Sequence, residues 1–318
     1  MNRPGESRSG KTGAMRVSVI IAAYNGAATV GEAIESAIAQ DIDETEIIVV
    51  NDGSTDSTSR VLEQYKPAIR IIDRTNGGLC AARNSGVAAS SGEYVALLDA
   101  DDAWLSGRLR RTVEALNRNP EAVVAFSDYL PMNESGNLLE ATCAQSAPSH
   151  DDLLKSAWPI VPSAVTIRRS ALNQAGGFCE EFKGCAGGED QYLWLLLSEQ
   201  GPFEYIPGAL VIHRRTSPME IVEKYEAGRR TFVRLVGHRY GAQASARMRE
   251  GKNFFAGILL AGALAQIDEG NLHAASKMLW RSLRYRPFLL LDQRLTTKLL
   301  SLRNARRMAR SLMQSKTT

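Results

Sequence analysis

The 318-residue sequence predicts an α/β protein, a mostly parallel central sheet flanked by helices and followed by an α-helical C-terminal region. Three observations carry that expectation. Short apolar, β-branched runs alternate with helical stretches. Several of the runs end abruptly in Asp, Asn, Gly or Ser, as buried parallel strands do at the carboxyl edge where α/β sheets take their ligands. From about Pro218 onward the apolar spacing is helical throughout. The expected division is a disordered leader over 1–14, an α/β domain over 15–217 and a helical region over 218–318.

Taken in order, Val17 to Ala23 is the first buried strand and Tyr24-Asn25-Gly26 its exit loop. Thr29 followed by Glu32 reads as a capping box for a helix reaching about Gln40, with Ile34 and Ile38 one turn apart on its inner face. The strand Glu46 to Val50 runs into Asn51-Asp52-Gly53-Ser54, a βα corner where helix N–H groups attract anions and a carboxylate can accept from a base or ribose. No G-x-G-x-x-G follows the first strand, which excludes the usual dinucleotide fingerprint. A helix to Tyr65 and a strand Ala68 to Ile72 lead to Asn76-Gly77-Gly78, a tight turn into a helix carrying Arg83. That arginine is either a surface-helix residue or a clamp for phosphate.

The run Tyr94 to Leu98 then stops at Asp99-Ala100-Asp101-Asp102. Three carboxylates within four residues repel one another and need a solvated edge or a cation between them. Mg²⁺ takes one or two carboxylates and completes its shell with water and substrate phosphates, so this pattern anticipates a metal arriving with a phosphorylated ligand. The plainer alternative is a polar turn capping the helix expected over about Ser106 to Asn119.

A strand Ala122 to Tyr129, a long polar loop over 131–149 and a short strand Ala164 to Ile167 follow. After the glycines at 184, 187 and 188, Glu189 and Asp190 open an apolar helix, where the helix dipole favours ionised acids. Helix capping explains them; so does a general base on a mobile edge. Asn253 to Arg286 reads as a helix hairpin broken at Gly270-Asn271, and Leu289 to Met313 as a basic amphipathic last helix.

Charge is unevenly spread. Residues 270–318 hold eleven Lys/Arg against Asp292, a net +10, which leaves the rest of the chain at −7. A basic tail on a mildly acidic body points to an anionic surface, membrane or nucleic acid, or to a solvated helix face. Cys80, Cys143, Cys179 and Cys185 show no C-x-x-C pairing, as in a reduced cytosolic chain. The first fourteen residues lack the apolar core of a signal peptide. Phe254 to Ile267 is too short to cross a bilayer.

Together, VSVIIAAYN, IIVVNDGSTDST, NGGLCAARNSGVAASSGEYVALLDADD and GGFCEEF with GGEDQYLWL resemble the inverting family-two glycosyltransferases of GT-A fold, over about Val17 to Arg215. The resemblance implies a nucleoside-diphosphate sugar donor of UDP or dTDP type and a divalent cation, Mg²⁺ or Mn²⁺. It implies Ala22, Tyr24, Asn25, Asp52, Arg83, Asp99, Ala100 and Asp101 for donor binding, with Asp101 and the neighbouring Asp102 for the metal. Asp190 matches the family's general base, and Glu189 is the second candidate. An inverting transfer needs one base for the acceptor hydroxyl and no protein nucleophile. The acceptor would be a glycan, a lipid-linked molecule or another hydroxyl compound, in cell-surface polysaccharide or glycolipid synthesis. The setting would be cytoplasmic, peripheral on the inner face of the membrane through the basic helix, with no nucleic acid.

Three departures stand out. Thr216 occupies the place of the family's frequent metal-binding His, leaving His213 as a substitute or no His at all. Asn51 replaces the first acid of a pair, and Cys179 replaces a frequent Asp. Two rival readings are a sugar-phosphate nucleotidyltransferase and a silent nucleotide-sugar-binding scaffold acting through the basic helices. Tyr24 to Ala28 is not the Gly-rich, basic loop that the first requires, and the second does not require a base.

Overall fold

The computed structural model describes residues 17–40, 42, 44–133, 135–144, 146–155, 160–214, 218–247, 260, 263, 267 and 272–285. Two compact units emerge. One joins Met1–Leu153 with Trp158–Thr216, and the other joins Leu154–Ala157 with Ser217–Thr318.

The first unit is built on eight strands: β1 (Val17–Ala23), β2 (Thr45–Asn51), β3 (Arg70–Asp73), β4 (Tyr94–Asp99), β5 (Ala103–Trp104), β6 (Val124–Met132), β7 (Val165–Arg168) and β8 (Phe203–Arg214). They lie in the order β3-β2-β1-β4-β7-β6-β8-β5. β3, β2, β1 and β4 are parallel, β7 is antiparallel to both β4 and β6, and β6 and β8 are parallel. Six strands therefore run one way, while β7 and the two-residue β5 run the other. That is the mostly parallel sheet expected from the apolar runs.

Its helices are α1 (Val30–Ile38), α2 (Thr58–Glu63), α3 (Leu79–Ala89), α4 (Arg108–Arg118), the start of α5 (His150–Lys155), α6 (Arg169–Gln174) and α7 (Glu189–Leu197). Alternation along β1 sends Val17, Val19, Ile21 and Ala23 into a core shared with Ile34 of α1 and Leu109, Val113 and Leu116 of α4. The opposite face meets α3 so closely that a Cβ on Gly86 would stand 2.5 Å from Ile20 Cγ2. Glycine there lets the helix that carries Arg83 lie flat on the sheet.

Several local expectations are corrected. Thr29 makes no side-chain cap on α1; Glu32 instead accepts from Arg214 Nη2 at 2.9 Å. Ile34 is buried, but Ile38 is 45% exposed because α1 ends there. β6 continues to Met132, and the expected loop beyond it pairs back through the bridges Tyr129↔Thr142 and Met132↔Leu138. Neither β5 nor β8 was legible. Pro207-Gly208 interrupts the alternation of β8, and the register against β6 shifts at Asp128, whose Oδ2 accepts from Tyr205 OH at 2.8 Å and from Gly208 N at 3.0 Å.

In the second unit, α8 (Pro218–Arg247) is broken at Gly241, whose φ is 77°, and α9 (Leu272–Tyr285) packs Leu279 and Leu283 against Leu260. No described helix is long and apolar enough to cross a membrane. The leader over 1–14, Thr216 and the basic helix Leu289 to Met313 lie outside the described residues.

Candidate active site

Parallel strands deliver their carboxyl ends to one edge, and the sequence-predicted residues gather there. Ala22 sits opposite Asp99 in the β1/β4 register. Tyr24 follows, 54% exposed, a ring available for stacking. Asn25 takes a left-handed conformation (φ 50°), and its Oδ1 accepts from Thr55 N at 2.8 Å, tying the β1 loop to the β2 loop.

Asp52 is buried, and its two oxygens accept from Gly77 N at 3.0 Å and Gly78 N at 2.8 Å, with Arg74 Nε at 3.3 Å. The carboxylate thereby shapes the turn that starts α3. Gly78 has φ 90°, which only glycine adopts easily, and a Cβ there would meet Lys183 Cγ at 3.5 Å. The segment leading to α7 thus passes directly over this turn.

The acidic turn sorts its carboxylates into different states. Asp102 N donates to Asp99 O at 3.1 Å and closes the turn. The Asp102 carboxylate is buried and accepts from Ser163 Oγ at 2.5 Å and Arg214 N at 2.9 Å, while His213 Nδ1 lies 3.1 Å from both oxygens. Asp99 is paired with Arg83 Nη2 at 2.5 Å. Ala100 is half-buried beside it. Asp101 has its carbonyl held by Arg214 Nε at 3.0 Å, yet among the described residues no side chain donates to its carboxylate. Burial, reinforced by the charges of Asp102 and Asp99, pushes Asp101 up to about 7. A half-buried carboxylate to which no described side chain donates is a ready cation ligand.

The second acidic constellation joins the first through Arg83. This guanidinium is 2% exposed, contacts Asp99, reaches to 3.7 Å of Glu189 Oε1 through Nη1, and stacks 5.0 Å from the centre of the Phe178 ring. Glu189 is therefore an inward-facing partner of Arg83, buried at the start of α7. Burial first, then the neighbouring Asp190, pushes it up to about 7. Asp190 is half-buried, held by the backbone N–H of Gln191 at 2.7 Å, and likewise raised by burial. The Asp99 charge acts on Asp101, Glu189 and Asp190 alike, so both acidic sites share one electrostatic environment.

The donor set suits a hard divalent ion that brings further ligands. Asp101 is one open carboxylate, while Asp102 is already engaged and stands behind it. Among the described residues no three His, Cys, Asp or Glu side chains form a metal cage, so substrate oxygens and water would complete the shell. Sequence reasoning missed the clasp formed by Arg214, which grips Asp101 O, Asp102 and Glu32 at once. Its signal, a basic pair ending a strand, was hidden because β8 itself was not read.

Residues 18–173 match the family model described as glycosyl transferase family 2. An uncharacterized glycosyltransferase of Nostoc sp. is 35% identical over 172 residues, covering 50% of this chain and 53% of that protein. The chain spans about half the length of that relative and 34% of the two Rickettsia glycosyltransferases it also matches. Among solved structures, S. aureus TarS 1-349 in complex with UDP has a TM-score of 0.58 at 19% identity, covering 88% of this chain and 92% of that one. The mannosyltransferase PcManGT from Pyrobaculum calidifontis, in complex with GDP-Man and Mn²⁺, has a TM-score of 0.55 at 17% identity, covering 91% and 87%. These likenesses show a GT-A-type fold.

The raised Glu189 predicts a pH dependence. In the unfolded chain it ionises near 4.5 and in the folded one near 7, so between these values the native state keeps a proton that the unfolded state has released. Stability then falls as pH rises from about 4.5 to about 7 and levels off above, with Asp101 acting in the same direction. In metal-free buffer the urea midpoint should be higher at pH 5 than at pH 8, and Glu189→Gln should shrink that difference. An unchanged difference in the variant contradicts the buried, proton-holding state.

Proposed function

We propose that this chain, whose residues 18–173 match the glycosyl transferase family 2 model, moves a sugar from a UDP- or dTDP-type donor to a hydroxyl acceptor with inversion, in cell-surface polysaccharide or glycolipid synthesis. The observation that carries this reading is Arg83, which ties Asp99 of the turn holding Asp101 to Glu189 of the helix start holding Asp190. The donor assignment draws support from the UDP and GDP-Man complexes of the structural neighbours.

In this reading Tyr24 stacks on the base, and Asn25 and Asp52 hold the loop that receives the nucleoside. Asp101 would hold the divalent cation, backed by Asp102; when bound, the ion stabilises the negative charge of the departing diphosphate. Asp190 accepts the proton of the acceptor hydroxyl as its oxygen attacks the anomeric carbon. One displacement inverts that centre, so no protein nucleophile is needed. The raised affinity of Asp190 for protons suits it to that task, because a carboxylate held by only a few donors is a stronger base than a fully solvated one. Glu189, turned toward Arg83, orients the helix start.

The net +10 of residues 270–318 supports a peripheral position on an anionic membrane, on its cytoplasmic face. Truncation after residue 285 should reduce co-sedimentation with anionic liposomes in a salt-dependent way. Equal sedimentation of the truncated protein would retire the membrane contact.

For the chemistry, Mn²⁺ with UDP at about a hundred times its Kd should add about 2.7 kcal/mol of stability. Asp190→Asn should bind Mn²⁺ and UDP as the unaltered protein does, while kcat falls by about 10²–10⁴. Normal turnover by Asp190→Asn would remove it as the base, and an unmoved Tm would remove the donor site.

A further inference from the structure

We infer that Ser163 is a positioning residue of the donor site, setting how the Asp99–Asp102 turn presents Asp101. The inference rests on the glycosyltransferase reading above and names a group that nothing in the sequence marks. Ser163 is fully buried in the short 3₁₀ turn Pro162–Ala164 that precedes β7. Its Oγ donates to Asp102 Oδ2 at 2.5 Å and accepts from Asp99 N at 3.0 Å. One hydroxyl therefore grips both ends of a four-residue turn whose middle carries the open carboxylate.

A hydroxyl has one proton to give and two lone pairs to receive. Donation to Asp102 fixes the direction of the proton and turns a lone pair toward the Asp99 amide. Alanine could do neither. The backbone side of Ser163 is a separate strut: its carbonyl accepts from Trp104 Nε1 at 2.7 Å, and Trp104 in turn carries the buried Arg108 guanidinium 4.3 Å above its ring. Arg108 reaches across to Thr166 Oγ1 of β7 at 2.8 Å. Fold support thus runs through the carbonyl, and orientation of the acids runs through the hydroxyl, so the two roles separate by mutation.

Without the Ser163 hydroxyl, the Asp99 amide loses its acceptor and Asp102 loses one of its three protein contacts. Asp102 and Arg214 then no longer define one position for the turn, and Asp101 moves relative to the nucleotide edge. The loss falls on metal-dependent nucleotide binding ahead of folding.

The test is calorimetric titration of the full chain with UDP, with and without Mn²⁺, beside thermal unfolding. Ser163→Ala should weaken Mn²⁺-dependent UDP binding by about tenfold or more, the scale of a lost buried hydrogen bond to a charged group. Ser163→Thr, which keeps the hydroxyl, should restore affinity to within about threefold, a fraction of one such hydrogen bond. Trp104→Phe, which cuts the strut, should lower Tm while leaving affinity near that of the unaltered protein. If Ser163→Ala does not fold, Ser163→Cys keeps the volume with a weak donor and reads the same loss. Unchanged affinity in Ser163→Ala or Ser163→Cys overturns the proposal, as does an equal loss in Trp104→Phe or no restoration in Ser163→Thr. Absence of any Mn²⁺-dependent UDP binding by the unaltered protein overturns the functional reading, and this proposal with it.

Discussion

A guanidinium withdrawn from water is the constraint on which this site depends. Arg83 cannot lose its proton at any working pH, so its burial on α3 demands carboxylates within reach. Asp99, from the end of β4, and Glu189, from the start of α7, supply them from positions 16 residues downstream and more than a hundred. Phe178 covers the remaining face. Together the two acids tie the carboxyl end of β4 and the first turn of α7 to one guanidinium. Asp101 and Asp190 each lie in the chain beside an acid of that bridge, and both feel the charge of Asp99.

Charge compensation then divides the acids by task. Asp52 is spent on Gly77 and Gly78, and Asp102 on Ser163, His213 and Arg214, so both build the edge. Asp99 and Glu189 are spent on Arg83. Asp101 and Asp190 are left with few donors, and both hold their protons more tightly than a solvated carboxylate does. Glu189 joins them, raised by its burial despite Arg83, so three undercompensated acids cluster around the Asp99 charge.

How much of this could be read beforehand follows from the physics of each element. β1 and β4 were legible because a strand buried on both faces must be continuously apolar, and the acids that end β4 mark its solvent edge. β8 was not, because Pro207-Gly208 and a register shift break the alternation on which such a reading depends. The capping box at Thr29 and Glu32 had the right letters, but an ion pair with Arg214, 182 residues away in sequence, claims Glu32. At the site, the motifs marked both acidic clusters, and the structure joins them through Asp99, Arg83 and Glu189. Which acids face inward was not, since that is decided by Arg83, Ser163 and Arg214 acting across long sequence separations.

The bridge can be observed directly by amide hydrogen exchange. In Arg83→Leu, the first turn of α7, residues 189–193, should exchange at least about tenfold faster than in the unaltered protein, while the amides of β1 and β2 keep their protection. Unchanged protection of that turn would contradict the claim that one buried arginine holds the two halves of the site together.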